Sequence, residues 1–270
     1  MRTSSESAGL HQSSKMDLRK PPVVETSLGC FFEEIAGWNI LHFGALWARF
    51  REKYPHAEFP PPIIQLPESA APIRLQPGNT FLPIRALFTD ERKTQLVQLQ
   101  TNLFLHNWRK RDESPTYEHY DHILPLFKAD WADFTSFLND QKLERPRFAR
   151  CEMTYFNHVV RGEHWNVYAD LPKLFRVWRG FDGNSIFRSI EQAAFNVVQP
   201  IGKGKVNIVV SPGVRLSDGK EILQMNVTAT RITEGSEDKD LFDGLNECHD
   251  ISLQAFREFV TDDALKVWEA

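Results

Sequence analysis

The spacing of apolar and polar residues changes period several times along this chain. In "ARCEMTYFNHVV" (Ala149 to Val160) one alternate set is Cys151, Met153, Tyr155, Asn157 and Val159. The other is Arg150, Glu152, Thr154, Phe156 and His158. A period of two places the two sets on opposite faces of a strand. "EILQMNVTATRI" follows the same rule, with Leu223, Met225, Val227 and Ala229 opposing Gln224, Asn226, Thr228 and Thr230. In "KVNIVV", Val206, Ile208 and Val210 oppose Lys205, Asn207 and Val209. "VVETSLGCFFEE", "IRALFTD", "TQLVQLQ", "LFLHNW" and "IFRSIEQAAFNVV" also read as strands, with turns at Pro212-Gly213 and Asp218-Gly219. Counted straight through "TQLVQLQ" and "LFLHNW", Val97, Leu99, Leu103 and Leu105 share one parity. Gln98, Gln100, Asn102 and His106 share the other, together with Phe104 and Trp108.

Elsewhere the period is helical. Ile40, Phe43, Trp47 and Phe50 form a stripe within Asn39 to Tyr54, which Pro55 ends. Ile123, Leu126, Phe127, Trp131, Phe134 and Phe137 or Leu138 mark a second helix, with Pro125 in its first turn or at a kink. A third runs from Leu241 to about Trp268 with a break at Thr261, and Ile251, Ala255, Phe259, Leu265 and Trp268 lie on or near one face. "LPKLFRVW" reads as a short helix or turn. Residues 55–83 hold half of the chain's 16 prolines and predict an extended connector, crossing the fold or docking on an aromatic groove.

The order β-α-β-β-(β)-α is thus written twice. It predicts an α+β fold of tandem pseudo-repeats, with antiparallel sheets, long helices on one face and an open polar face. The expected division is a disordered tail over 1–18, a first half over 19–145 and a second over 146–270, with a single continuous domain left open.

Composition narrows the function. The chain has 270 residues, 41% hydrophobic and 12% aromatic, enough apolar surface for a core. Its net charge of −4 lacks the basic excess of an electrostatic nucleic-acid binder. Cys30, Cys151 and Cys248 are far apart in the sequence and form no C-x-x-C, which disfavours a disulfide framework or a Cys-rich zinc site and fits the cytoplasm. The Ser-rich start has no apolar core of a signal peptide, and Ile35 to Phe50 is too short and too interrupted to span a bilayer.

The candidate chemistry lies on the polar parity. Asn, Gln and Thr hydrogen-bond in both directions, which suits recognition. His119 and His122 stand at metal-chelating helical spacing but have no third ligand, so no metal and no cofactor is expected. Adjacent Cys248 and His249 diverge by about 100° on a helix and form no dyad, while Cys151 with His249 stays open as a spatial pair. "PIGKGK" lacks the P-loop pattern and reads as a hairpin turn, and "GFDGNS" is turn chemistry. "HNWRKR" interleaves Trp108 with Arg109, Lys110 and Arg111, a pattern for stacking a base between phosphate contacts or for a solvated strand exit.

"KPPVVE", "ALWARFREKYP", "QLQTNLFLHNWRK", "CEMTYFNHV" and "HDISLQAFREFVTDDALKVW" together resemble a sporadically distributed prokaryotic family of unknown function, with a K-P-P-x-V-E start and N-W-R-K and C-E-x-x-Y-x-N-H segments. The resemblance covers roughly residues 19–270. It implies a mobile or defence-related gene neighbourhood, brings no established catalytic residues, and places Asn107, Trp108, Arg109, Glu152, Tyr155, Asn157 and His158 in the family's motifs.

The resulting expectation is a non-enzymatic cytoplasmic binding protein. It would hold a protein or small-molecule ligand through Asn107, Trp108, Arg109, Glu152, Thr154, Asn157 and His158. The alternative is a hydrolase or metal-dependent enzyme built on Glu152, His158 and His249, and a second alternative is nucleic-acid binding through Trp108. No membrane partner is expected, and a homodimer stays open.

Overall fold

A computed structural model describes Leu18 and residues 20–63, 84–111, 117–181, 185–187 and 189–269. Strand β1 (Val23–Phe32) leads to helix α1 (Ile40–Phe50) and the short strand β2 (His56–Glu58). Strands β3 (Ala86–Thr89), β4 (Gln95–Gln100) and β5 (Leu103–Arg109) precede helix α2 (Tyr120–Asp140). The second half runs β6 (Phe148–Val160), α3 (Leu171–Leu174), β7 (Phe195–Ile201), β8 (Gly204–Val214), β9 (Glu221–Ile232), α4 (Asp238–Phe259) and α5 (Asp262–Glu269).

The nine strands among the described residues form one sheet in the order β2-β3-β4-β5-β1-β6-β9-β8-β7, and every neighbouring pair is antiparallel. The fold is α+β, with its helices against one sheet face. The halves meet at β1 and β6, so a single sheet crosses both. Outward from that junction each half places its last strand next, then continues backwards along the chain.

Strand alternation sorts the side chains. Leu28, Cys30, Phe104, Val97, Leu99, Cys151, Met153, Val227 and Ile208 turn to the helices and are buried. Phe104 stacks on Phe134 of α2 at 4.8 Å between ring centroids and meets Trp131 at 5.6 Å. On α4 the buried stripe is Leu241, Leu245, Cys248, Ser252, Phe256 and Phe259. Asn39 caps α1 by accepting the Leu41 N–H at 3.0 Å. The core side of α1 is Phe43, Leu46 and Phe50; Ile40, expected on that stripe, is 53% exposed at the first turn.

Several expectations are corrected. The turn at Thr101-Asn102 interrupts the count between β4 and β5, so parity reverses across it. Phe104, His106 and Trp108 therefore face the helices, whereas Leu103, Leu105 and Asn107 face outward with Gln98 and Gln100. Of "IFRSIEQAAFNVV", only the part from Phe195 is strand. Pro212-Gly213 is no turn, because β8 continues to Val214. Its pairing with β7 ends at Val210, so the missing N–H of Pro212 deprives no strand of a donor. Within the proline-rich segment residues 56–58 form a strand, and Ile63 packs on Phe31, Leu103 and Leu105 of the outward face. The rest of that connector, residues 64–83, and the tail over 1–17 lie outside the described residues. The final helix breaks at Val260-Thr261, as its pattern predicts. No described helix is long and apolar enough to cross a membrane.

Two glycines offer a test of the packing. A Cβ on Gly29, in the central strand β1, would stand 2.2 Å from the Phe104 carbonyl oxygen and 2.8 Å from Leu105 Cα. Gly44, on the exposed side of α1, has nothing within 4 Å of that position. Gly29→Ala is expected to cost about 1–3 kcal/mol or more through overpacking against backbone. Gly44→Ala is expected to gain roughly 0.5–1 kcal/mol from helix propensity. Urea midpoints of the two variants, moving in opposite directions at constant slope, check this.

Candidate functional site

The outward side of the sheet carries a row of polar residues that crosses five strands without interruption. Asn107 of β5 is opposite Ser27 of β1, which is opposite Thr154 of β6, then Thr228 of β9 and Asn207 of β8. Neighbouring strands are about 4.8 Å apart, so the row extends roughly 20 Å across the seam between the halves. Parallel rows flank it. One contains Glu152, Thr230 and Lys205; the others contain Phe156 and Asn226, then His158, Gln224 and Ser211.

The two ends of this face differ. On the first half, hydrogen bonds are used internally. The Asn107 Oδ1 accepts from Gln98 Nε2 at 2.6 Å and from Ser27 Oγ at 3.2 Å, and its Nδ2 donates to Glu25 Oε1 at 2.6 Å. Arg109 donates to the other Glu25 oxygen at 3.0 Å, and Gln98 also accepts from Arg85. Ile63 exchanges hydrogen bonds with the Gln100 amide over the same face. Asn107 is consequently 1% exposed.

On the second half, Gln224, Asn226, Thr228, Thr230, Asn207 and His158 are half-buried and line the surface. Thr154 and Thr228 share a hydroxyl hydrogen bond at 3.0 Å, and Gln224 donates to Asn226 Oδ1 at 3.1 Å. Asn207 Oδ1 and His158 Nδ1 have no hydrogen-bond partner among the described residues. A buried polar atom in that condition costs about 1–3 kcal/mol, which a ligand that pairs with it recovers. Burial lowers the His158 pKa, with nearby Arg215 adding to the effect. Burial raises that of Glu152, against the opposing pull of Arg150, the Thr154 hydroxyl and Lys205.

Of the residues singled out from sequence, Asn107, Arg109, Glu152, Thr154 and His158 stand on this face. Trp108 and Asn157 do not. Trp108 is 0% exposed on the helix side and packs edge-on against Tyr117 at 5.2 Å, so no base reaches its ring. Asn157 follows the parity of Tyr155 and spends its amide on the carbonyls of Met225 at 3.0 Å and Tyr155 at 3.3 Å. The trio Glu152, His158 and His249 is also separated. Glu152 and His158 lie about 20 Å apart along β6 at about 3.3 Å per residue. His249, on α4, is across the sheet and bonds to the Tyr155 hydroxyl at 2.7 Å. Cys151 does not pair with His249 either; its thiol is 4.0 Å from that of Cys248. His119 and His122 acquire no further ligand, and no metal-binding group of three side chains occurs among the described residues.

Sequence reading missed two clusters on the helix side. At the seam, Tyr120 stacks on His249 at 4.0 Å, and Tyr117, Tyr155, Asn157 and Ser252 line a cavity of about 60 Å³ with Leu253 and Phe256. That volume admits a few waters rather than an organic substrate. In the first half, Asp130 of α2 is fully buried. It accepts from the Tyr54 hydroxyl at 2.6 Å and Lys53 at 2.7 Å and bonds to His106 Nδ1 at 2.7 Å. His106 is held on its other nitrogen by Gln95 at 2.9 Å. Burial alone would raise the Asp130 pKa, yet His106 and Lys53 outweigh it and hold the carboxylate below its ordinary value. With Asp130 and His106 fully buried and Lys53 reaching them from the surface, this network ties α2 and the turn after α1 to the sheet. A lone acid on an otherwise apolar helix stripe was its one trace in the sequence.

Two measurements follow. Removing the shared acceptor with Asp130→Ala strands two buried donors, the Tyr54 hydroxyl and His106 Nδ1, and is expected to cost about 3–5 kcal/mol in chemical denaturation. Burial drives the His249 pKa from 6.5 down to about 4. Between those values the unfolded chain binds a proton that the folded protein does not, so stability falls as pH falls through that window. The loss amounts to about 3 kcal/mol at most. His249→Gln, which keeps a partner for Tyr155, is expected to flatten the stability-against-pH curve between pH 6.5 and about 4.

No family model matches the chain, and neither a curated protein nor a solved structure matches it.

Proposed function

We propose that this chain is a non-enzymatic cytoplasmic binding protein that holds a protein partner or small ligand on the outward face of β6, β9 and β8. The observation that carries the reading is the polar row from Asn107 to Asn207, ending where hydrogen-bonding capacity is left unused at Asn207 Oδ1 and, two rows away, at His158 Nδ1. Amides and hydroxyls present donors and acceptors without the desolvation cost of charges, which suits a neutral or mixed polar partner. Phe156 adds apolar contact within the same surface. The separation of Glu152, His158 and His249 speaks against the enzyme built on those three. Membership of the sporadically distributed prokaryotic family, a mobile or defence-related locus, and descent of the halves from one repeated unit belong to the same proposal; the matching strand order of the halves supports the last of these.

Purification at native expression followed by native mass spectrometry tests this reading. The wild-type chain is expected to carry a stoichiometric added mass. The variant Asn207→Leu is expected to lose roughly tenfold or more in affinity for it. Its melting temperature should hold or rise, because the variant deletes an unpaired buried acceptor. A wild-type chain that carries no bound molecule, or a variant that binds as well, would end the proposal.

A further inference from the structure

The sheet has two edges, and they are built differently. At one end β2 is three residues long, carries His56 and Glu58, and has His56 3.5 Å from Glu91. Short, charged strands are the usual protection of a sheet edge. At the other end β7, "FNVVQPI", is seven residues long and without charge, and its middle is exposed, Val198 at 51%. An exposed, uncharged strand of that length is a template for a further strand.

The register shows which of its backbone groups point away from β8; of these, the Pro200 carbonyl accepts from the Gln199 side chain at 3.0 Å. Ile232 N–H donates to the Lys203 carbonyl, so the odd-numbered residues at this end of β8 bond toward β9. Backbone groups alternate in an antiparallel ladder, so the even-numbered residues of β8 bond toward β7. Their partners are Phe195, Val197, Gln199 and Ile201. Asn196, Val198 and Pro200 therefore point their backbone groups away from the sheet. Pro200 sits where its absent N–H costs the β7–β8 ladder nothing.

We propose that β7 pairs antiparallel with β7 of a second copy of this chain, about a two-fold axis, to continue the sheet across a homodimer. The inference is independent of the outward-face ligand. Placing the axis at Val197 sets Asn196 opposite Val198 of the second copy, so that each exchanges N–H···O=C bonds with the other. Pro200 then falls at the margin of the pairing. With no charge on the strand, self-pairing brings no like charges together. A second observation points to the same occupant. Phe181 and Phe187 are exposed and stacked at 4.7 Å, and Trp178 links them to Phe195 at the start of β7. The two-fold operation turns this apolar patch toward the far end of β7 of the other copy, so one operation covers both the edge and the patch. Such isologous pairing uses up the β7 edge of each copy, leaves only the short, charged β2 edges, and stops at two chains.

Analytical ultracentrifugation of the full chain, wild type and Asn196→Pro, tests the proposal. The Asn196 N–H faces outward, so its removal spares the fold and deletes two donors per dimer. Wild type is expected to sediment as a dimer at micromolar concentration, and Asn196→Pro to weaken the dimer roughly tenfold or more. Far-UV circular dichroism verifies the fold of the variant. If Asn196→Pro misfolds, Val198→Lys, which places a charge at a solvent-facing position, gives the decision by the same readout. A monomeric wild type, or a dimer that withstands these substitutions, overturns the inference.

Discussion

The ladder between β1 and β6 is the constraint on which the rest of the structure depends. It joins the two halves into one sheet, and its register determines which residues of both halves share a face. Cys30 lies opposite Cys151, Ser27 opposite Thr154 and Gly29 opposite Glu152. A shift of one residue would send the outward polar row into the helices and the core row into water. Gly29 holds the place where β1 and β5 approach too closely for any side chain. Burial on one face thus specifies the β1–β6 pairing, and steric contact at Gly29 the neighbouring β1–β5 pairing.

From that register the two faces acquire opposite chemistry. On the helix side, the buried Asp130 and the half-buried His249 are held by their neighbours. Asp130 gathers His106, Tyr54 and Lys53, and Tyr155 and Tyr120 hold His249. Buried ions require this, because an unpaired one would cost several kcal/mol. On the outward side, the first half satisfies itself through Glu25, Asn107 and Gln98, and the second half leaves acceptors unused. The same residue types therefore serve different ends on the two sides of the seam. Asn107 is consumed in a network and Asn207 is not, although both belong to one row.

Much of the local structure was legible from the chain because it depends on neighbours in sequence. Alternation in "CEMTYFNHVV" and "EILQMNVTATRI" identified two long strands and the face of nearly every residue in them. Three- and four-residue spacing found α2 and the break before α5. Errors arose where one residue changed the count. The Thr101-Asn102 turn reversed the parity of β5 and moved Trp108 and His106 from the outward face to the core. Asn157 joins the expected binding residues through its place in the C-E-x-x-Y-x-N-H segment, although its parity sets it with Tyr155. Strand β2 was invisible because three residues among prolines carry no period of their own.

The sequence by itself determined the alternation of each long strand, the apolar stripes of the long helices and the order of elements, since each arises from backbone geometry within a few residues. Only the tertiary structure decided how distant segments meet. It brought Cys151 and Cys248, far apart in the chain, to 4.0 Å, and surrounded Asp130 with donors from β5 and the turn after α1. It set Glu152 and His249 on opposite sides of the sheet, and aligned five short polar residues from five strands into one row. These outcomes depend on strand order and register, which are set by the free energy of packing two halves together and leave no local periodicity to read.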